Sequence, residues 1–385
     1  MRYLKFILII CMYSCSENSE KNGFDYFSNI HLTLDTVTID SGDELIYLGE
    51  NILGADISRD MKYLFNFNWN DHSIEKINLD ELRLEEKLPF EKEGPNGTGQ
   101  FMGRIKLHSK NQFTIGDMNR TELFSLDGEK LMTIRYESFS LGWDDGEQVI
   151  SSPVLDKEVN RLYVLTNRME DNNYTFGILN LENFEVSRMP LKSFEKLDKY
   201  KFTLRIGNGS VSIDPDVRVE KFGTKVILSN QITSAFMVFD TSIDSLYFKS
   251  YNSQITANGK ASIYKTEHET EESLGMEYAK FLQDINFLPP FWDEKNQVFY
   301  RFSYQELESQ NKNGEDVKIK VYLTVFDNNL NWLGETLVTQ MTKIPANAFF
   351  RKFPKHFAKD GNIWIFENIN DNMGFLVLSL SNNAT

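Results

Sequence analysis

Apolar and polar positions recur in one phrase along this chain. A β-branched or aromatic run meets Asp or Asn at a tight turn, and a second apolar run follows. The phrase stands at 75–84 (EKINLDELRL), 123–132 (LFSLDGEKLM), 177–186 (GILNLENFEV), 235–246 (AFMVFDTSIDSL) and 323–333 (LTVFDNNLNWL). Alternation with period 2 around an Asp or Asn turn predicts a β-hairpin, and a hairpin repeated at long spacing predicts stacked, repeated sheets. Each copy extends into a four-stranded blade with the hairpin outermost. The blades run over 51–90, 103–136, 149–191, 217–251, 285–340 and from about 349.

The last blade has three strands before the chain ends. Residues 30–39 (IHLTLDTVTI) alternate like a half-buried strand, precede the first blade and need a partner. Lent to the last blade, they close the ring and remove an open edge. The expected fold is therefore all-β, a six-bladed β-propeller closed by its N-terminal strand.

Two stretches interrupt the repeat, 192–216 and 252–284. Both join an outer strand to the next inner strand, so both are expected to crown one mouth of the central channel. Residues 271–284 (EESLGMEYAKFLQD) place Leu274, Tyr278, Phe281 and Leu282 at helical spacing behind early acids, which predicts a short helical insert.

The N-terminus reads differently. Arg2 and Lys5 flank a short apolar run, 6–12 (FILIICM), and Ser14 precedes Cys15. Such a run is too short to span a bilayer and reads as a cleaved signal. Residues 12–15 (MYSC) resemble a bacterial lipobox, with Met12 and Tyr13 where Leu and a small residue are usual. The expected organisation is a lipoprotein signal peptide over 1–14, a lipidated tether over 15–29 with Cys15 as the lipidation site, and a single propeller over 30–382. Both cysteines, Cys11 and Cys15, lie in this leader, so the propeller has neither thiol nor disulfide. Cysteine catalysis is thereby excluded. The polar run 16–22 (SENSEKN) resembles acidic export signals of Bacteroidota lipoproteins, so surface exposure is expected. The partner at this end is the membrane, and the location is the bacterial cell envelope, at the outer membrane.

The formal charge of -15 repels phosphate backbones and argues against nucleic acid as a partner. The five His, at 31, 72, 108, 268 and 356, show no metal-ligand spacing. By strand position only His356 is expected to face the channel. Asp144, Asp145 and Glu147 form an acidic turn that matches no Ca²⁺ loop. No cofactor or metal is implied, and no catalytic residue is assigned.

Residues 93–101 (EGPNGTGQF), followed by strand, turn and FSLDGEKL, resemble the Gly-Pro-Gly-Glu-Phe blade opening of NHL-like and TolB-like six-bladed propellers. Thr98 and Gln100 stand where Pro and Glu are usual. Many such proteins are lipoproteins of Bacteroidota, several of them grouped as domains of unknown function. The resemblance implies a propeller and a lipid anchor, and no particular reaction.

Rigid scaffolds place binding on their rim loops. The candidate ligand-binding residues are Arg205, Asn208, Asp214 and Arg218 around the first interruption, Asn230, Trp292 and Arg301 on blades four and five, and Arg351, Lys355 and His356 on blade six. Aromatic faces and Arg forks suit a glycan or a peptide. Three readings stay open: binding of a ligand or partner protein at the rim, hydrolysis or elimination by carboxylates at the channel mouth, and a structural role in an envelope assembly.

Overall fold

The computed structural model describes residues 26–99, 104–109, 111–117, 119–139, 146–168, 173–307, 317–344 and 352–382. Cys15, Asp144, Asp145 and Arg351 lie outside the described residues. Among the described residues there are six large antiparallel sheets and one small one. Five of the large sheets are meanders in chain order from an inner strand to an outer one, and the sixth takes its outer strand, Ile30–Thr38, from ahead of the first blade. The expected β-propeller is the fold that forms.

All five Asp or Asn hairpins join the third and outer strands of their sheets. In blade one, Ser73–Asn78 pairs with Arg83–Pro89. In blade four, Phe236–Asp240 pairs with Ser245–Lys249. The turn residue caps its own loop. Asn78 accepts from the backbone N–H of Asp80 and Glu81, Asp240 from Ser242, and Asp327 from Asn329 and Asn331. A short side chain that bonds the backbone two or three residues on is what favours Asp and Asn there.

Six hydrophobic cores hold the sheets together, and each is shared by consecutive blades. Phe65, Phe67, Phe113 and Phe124 fill the gap between blades one and two. Leu123, Leu155, Leu162 and Val164 fill the next. Tyr163, Phe176, Val226 and Phe239 pack blade three on four, and Phe236, Phe299 and Phe326 pack four on five. Tyr300, Phe302, Ile363 and Ile365 join five to six. Leu64, Ile77, Trp364 and Phe375 then join six back to one. A chain of face-to-face sheets that returns to its start is a ring.

The ring closes as expected. Ile30–Thr38 pairs along its whole length with Asn372–Asn382, with Leu32 opposite Leu380 and Leu34 opposite Leu378. The first and last strands of the described residues thus share one sheet, and Asn372–Asn382 is not left as an open edge.

Two inner strands are broken. In blade three, Glu147–Val149 and Val154–Asp156 both pair with Arg161–Arg168. In blade five, Asn286–Phe287 and Phe291–Asp293 both pair with Val298–Glu306. Pro153 sits in the first gap and Pro289 and Pro290 in the second. Proline has no N–H for the ladder, so the strand parts there.

The two interruptions fold together. The first makes a hairpin, Phe202–Ile206 against Gly209–Ile213. Glu267–His268 of the second adds to it in parallel. The helix Glu271–Gln283 lies where expected, capped by Thr270, whose hydroxyl accepts from Ser273 N–H. Phe202 is the hub: its ring meets Tyr264, Tyr278 and Phe281, and His268 stacks on it. Lys260 reaches back to the Phe281 carbonyl and lies 3.8 Å over the Phe281 ring. No helix among the described residues is long and apolar enough to cross a membrane.

Candidate functional site

A cavity of about 980 Å³ runs along the axis of the ring, and the inner strands of all six blades line it. Its wall follows from period 2 on those strands. In 104–108 (RIKLH), Arg104, Lys106 and His108 line the cavity, while Ile105 is buried in the core between blades one and two. In 214–220 (DPDVRVE), Asp214, Asp216, Arg218 and Glu220 line it, while Val217 and Val219 are buried between blades three and four. Charged residues on one face of a strand and apolar ones on the other mark a wall between a wet channel and a dry core.

The inserts crown one mouth. Ser212, Ile213 and Asp214 of the first and Tyr278 of the second line the cavity. Gln231 and Tyr304, at the ends of second strands, lie on this side as well. Gln231 ties blade four to five: its amide donates to Asn286 Oδ1 at 3.0 Å, and its carbonyl accepts from Phe287 N–H.

Ion pairs cross the lumen. Lys106 of blade two meets Glu220 of blade four, reaching past blade three. Lys352 of blade six lies 3.8 Å from Asp216, at the start of blade four, which also pairs with Arg218. Asp156 and Lys221 pair at 3.2 Å. Lys355 donates to the Ala55 carbonyl at 2.6 Å and lies 3.8 Å from Asp56. Asp56 in turn accepts from Leu107 N–H of blade two at 2.9 Å.

The electrostatics follow from confinement. Burial works against the charge on Asp216, but Arg218, Lys352 and Arg104 outweigh it and hold the carboxyl below its ordinary range. Burial likewise opposes the Lys106 charge, and Glu220 and Asp56 outweigh it, so that ammonium stays above its ordinary range. Lys355 goes the other way. Burial pushes it down, Lys106 and Arg104 add to the effect, and Asp56 and Glu220 do not make it up.

The cavity gathers five of the candidate residues: Asp214, Arg218, Trp292, Lys355 and His356. Arg205 and Asn208 do not line it. They stand exposed at the tip of the crown hairpin, where Arg205 pairs with Glu267. Asn230 is buried, and its side chain caps the turn at Ile232 and Thr233. Arg301 is fully buried and spent on structure. Its guanidinium donates to the carbonyls of Leu288, Thr233, Ser234 and Asn230. Glu147, from the acidic turn, pairs with Arg188 and accepts from Thr166. No group of three or more His, Cys, Asp or Glu able to hold a metal occurs among the described residues.

The expectation that only His356 faces the channel needs correction, because His108 lines it too. His356 sits among the rings of Phe291, Phe302 and Phe353, its Nδ1 on the Pro354 carbonyl. Burial pushes both imidazoles down, each to about 4. Sequence reasoning missed Asp56, Arg104, Lys106, Glu220 and Lys352. Alternating charge on inner strands was the available signal for the middle three.

The Gly-rich segment takes a scaffold role. Thr98 Oγ1 hydrogen-bonds His72 Nε2 at 2.8 Å and donates to the Glu91 carbonyl, which pins the loop to the turn of blade one. Gly97 is required there, since a Cβ would lie 2.6 Å from the Glu93 backbone.

A family model matches residues 28–337, most of the chain. The chain belongs to the family described as a domain of unknown function, DUF4221. A crystal structure of a DUF4221 member from Bacteroides vulgatus is similar over 92% of this chain and 99% of that one, at 12% identity and a TM-score of 0.64. A putative exported protein from Bacteroides fragilis is similar over 94% and 98%, at 11% identity and a TM-score of 0.48. The Pan2 WD40 domain of Neurospora crassa follows at 10% identity and a TM-score of 0.38, over 89% and 95%. Comparison with curated proteins gives no match. For this DUF4221 chain the similarities show the fold, and the function must be argued from the cavity.

Proposed function

We propose that this DUF4221 protein is a lipid-anchored binding protein of the bacterial outer membrane, whose propeller holds a glycan, a peptide or a partner protein at the crowned mouth of its channel. One observation carries the binding half: a cavity of about 980 Å³ lined by both inserts and all six inner strands. A pocket of this size, with rings and a few converging charges, is the usual form of a ligand site. Tyr278, Phe291 and Trp292 offer faces for stacking, and the ion pairs offer polar contacts.

The leader supports the anchor. Cleavage before Cys15 leaves a thiol for lipid, and two or more acyl chains hold a protein firmly at a bilayer. The segment 93–101 supports kinship with NHL-like and TolB-like propellers.

Two measurements test the reading. Full-length protein in detergent is screened against immobilised glycans and peptides, beside Ser212→Trp, which puts a large ring at the exposed edge of the mouth. Binding that Ser212→Trp abolishes without lowering thermal stability supports the site; binding that it leaves intact refutes it. For the anchor, Cys15→Ser moves the protein from the membrane to the soluble fraction. Retention in the membrane would overturn the lipoprotein assignment.

A further inference from the structure

Deepening the binding reading, on which it rests, we propose that the crowned mouth takes a ligand through a compact anionic group, a carboxylate or a phosphate, seated against Lys355 and Lys352. The protein as a whole is strongly acidic, with 56 Asp and Glu against 41 Lys and Arg. Its channel is not. Among the described residues its lining holds eight Lys and Arg, including Arg104, Lys106, Arg218, Lys352 and Lys355, against seven Asp and Glu, including Asp56, Asp216 and Glu220. Asp214, at the outer lip, pairs with Lys201 at 3.5 Å. Among the described residues the lining therefore carries one more positive charge than negative, where the protein as a whole carries a net charge of -15. A confined surplus of one sign raises the local concentration of the opposite ion.

The arrangement of partners says where that ion would sit. Arg218 is held by Asp216, and its Nη1 also donates to the Val217 carbonyl. Lys106 is held by Glu220. Lys355 has one hydrogen bond among the described residues, to the Ala55 carbonyl, and Asp56 stands at 3.8 Å, beyond hydrogen-bond reach. An ammonium carries three donors, so Lys355 keeps capacity that a carboxylate or phosphate oxygen would take up. Burial and its cationic neighbours disfavour its charge, and the attraction of a bound anion would offset them. Lys352 lies on the same strand approach, 3.8 Å from Asp216 and still 42% exposed in its side chain. The half-buried ring of Tyr278 lines the same mouth and would receive the uncharged body of the ligand.

The test uses full-length protein in detergent and three probes: sodium phosphate, sodium glucuronate and glucose, each titrated calorimetrically against sodium chloride at matched ionic strength. Phosphate or glucuronate is expected to bind saturably, and which of them binds more tightly identifies the anionic group. Glucose is expected to bind far more weakly than glucuronate. Lys355→Met is expected to weaken the anion by roughly tenfold, as loss of one direct charge partner does. Asp216→Asn removes a competing carboxylate and is expected to tighten it by a similar factor. Lys352→Gln, at a partly exposed position, replaces Lys355→Met if that variant does not fold. The proposal is overturned if neither anion binds above the chloride control, or if the lysine and aspartate substitutions leave affinity unchanged. Glucose binding as tightly as glucuronate would overturn the anion while leaving the channel as a binding site.

Discussion

Arg301 separates a scaffold role from a binding role by experiment. Its side chain is fully buried, and the rings of Phe236 and Phe287 lie 4.5 and 4.9 Å from its guanidinium carbon. Nε donates to the Leu288 carbonyl at 2.6 Å, and Nη2 to Thr233 and Asn230 at 3.2 and 3.4 Å. Nη1 donates to Ser234. Three of these carbonyls belong to the turn at the end of blade four's second strand, and the fourth sits beside the proline break in blade five. Burial pushes the group down to about 10, so it stays charged at neutral pH. Arg301→Met keeps the stem and removes the fork. The Leu288 and Ser234 carbonyls then lose a charged donor in a dry site, and each orphaned group costs about 1–3 kcal/mol. The cation–ring contacts add about 1–2 kcal/mol. Removing the desolvated charge offsets part of these terms, and a net loss of about 3–5 kcal/mol is expected, in line with breaking other buried charged networks. Urea unfolding followed by tryptophan fluorescence checks it: the midpoint falls with the slope unchanged. Arg301→Lys keeps the charge without the fork and should recover less than half. A change below about 1 kcal/mol for Arg301→Met would refute the structural role.

Two further outcomes follow from the ring and the channel. Ile39 N–H donates to the Met373 carbonyl, so by alternation the odd residues of Ile30–Thr38 turn their N–H groups to the last strand. Thr33→Pro should cost about 3 kcal/mol in a urea titration and Thr36→Pro well under half of that; equal costs would refute the closing register. His108 and His356 titrate near 4 in the folded chain and near 6.5 when unfolded. The unfolded chain then binds the extra protons, so stability is full above about pH 6.5 and falls as pH drops toward 4. With partial exposure to the channel allowed for, each His contributes about 2 kcal/mol of that loss. His356→Phe should flatten the stability profile over this window, and an unchanged slope would refute the assignment.

How far the chain could be read without its fold depends on the range of the interactions involved. The five outer hairpins were legible because an Asp or Asn turn and its flanking alternation are local. Residues such as Asn78 and Asp240 cap loops only two or three positions away. The closing strand 30–38 was legible for a related reason, since a lone amphipathic strand needs an edge and the last blade had one open. The channel wall was half legible. The alternation in 214–220 is local, but Lys106 meeting Glu220 joins residues 114 positions apart.

The sequence by itself determined the class of fold, the repeating hairpins, the short helix, the acidic balance and the lack of cysteine beyond Cys15, since each depends on neighbours or on composition. Only the tertiary structure decided which charged residues share the lumen. Arg301 and Lys355 show the reason. Arg301 lies on the second strand of blade five and Lys355 just ahead of the inner strand of blade six, and both were candidates for a ligand. Arg301 points into the seam between blades four and five, where four carbonyls use its donors, and Lys355 lines the channel with donors to spare. What a charged side chain can still bind depends on what already surrounds it, and in a ring those neighbours come from distant blades.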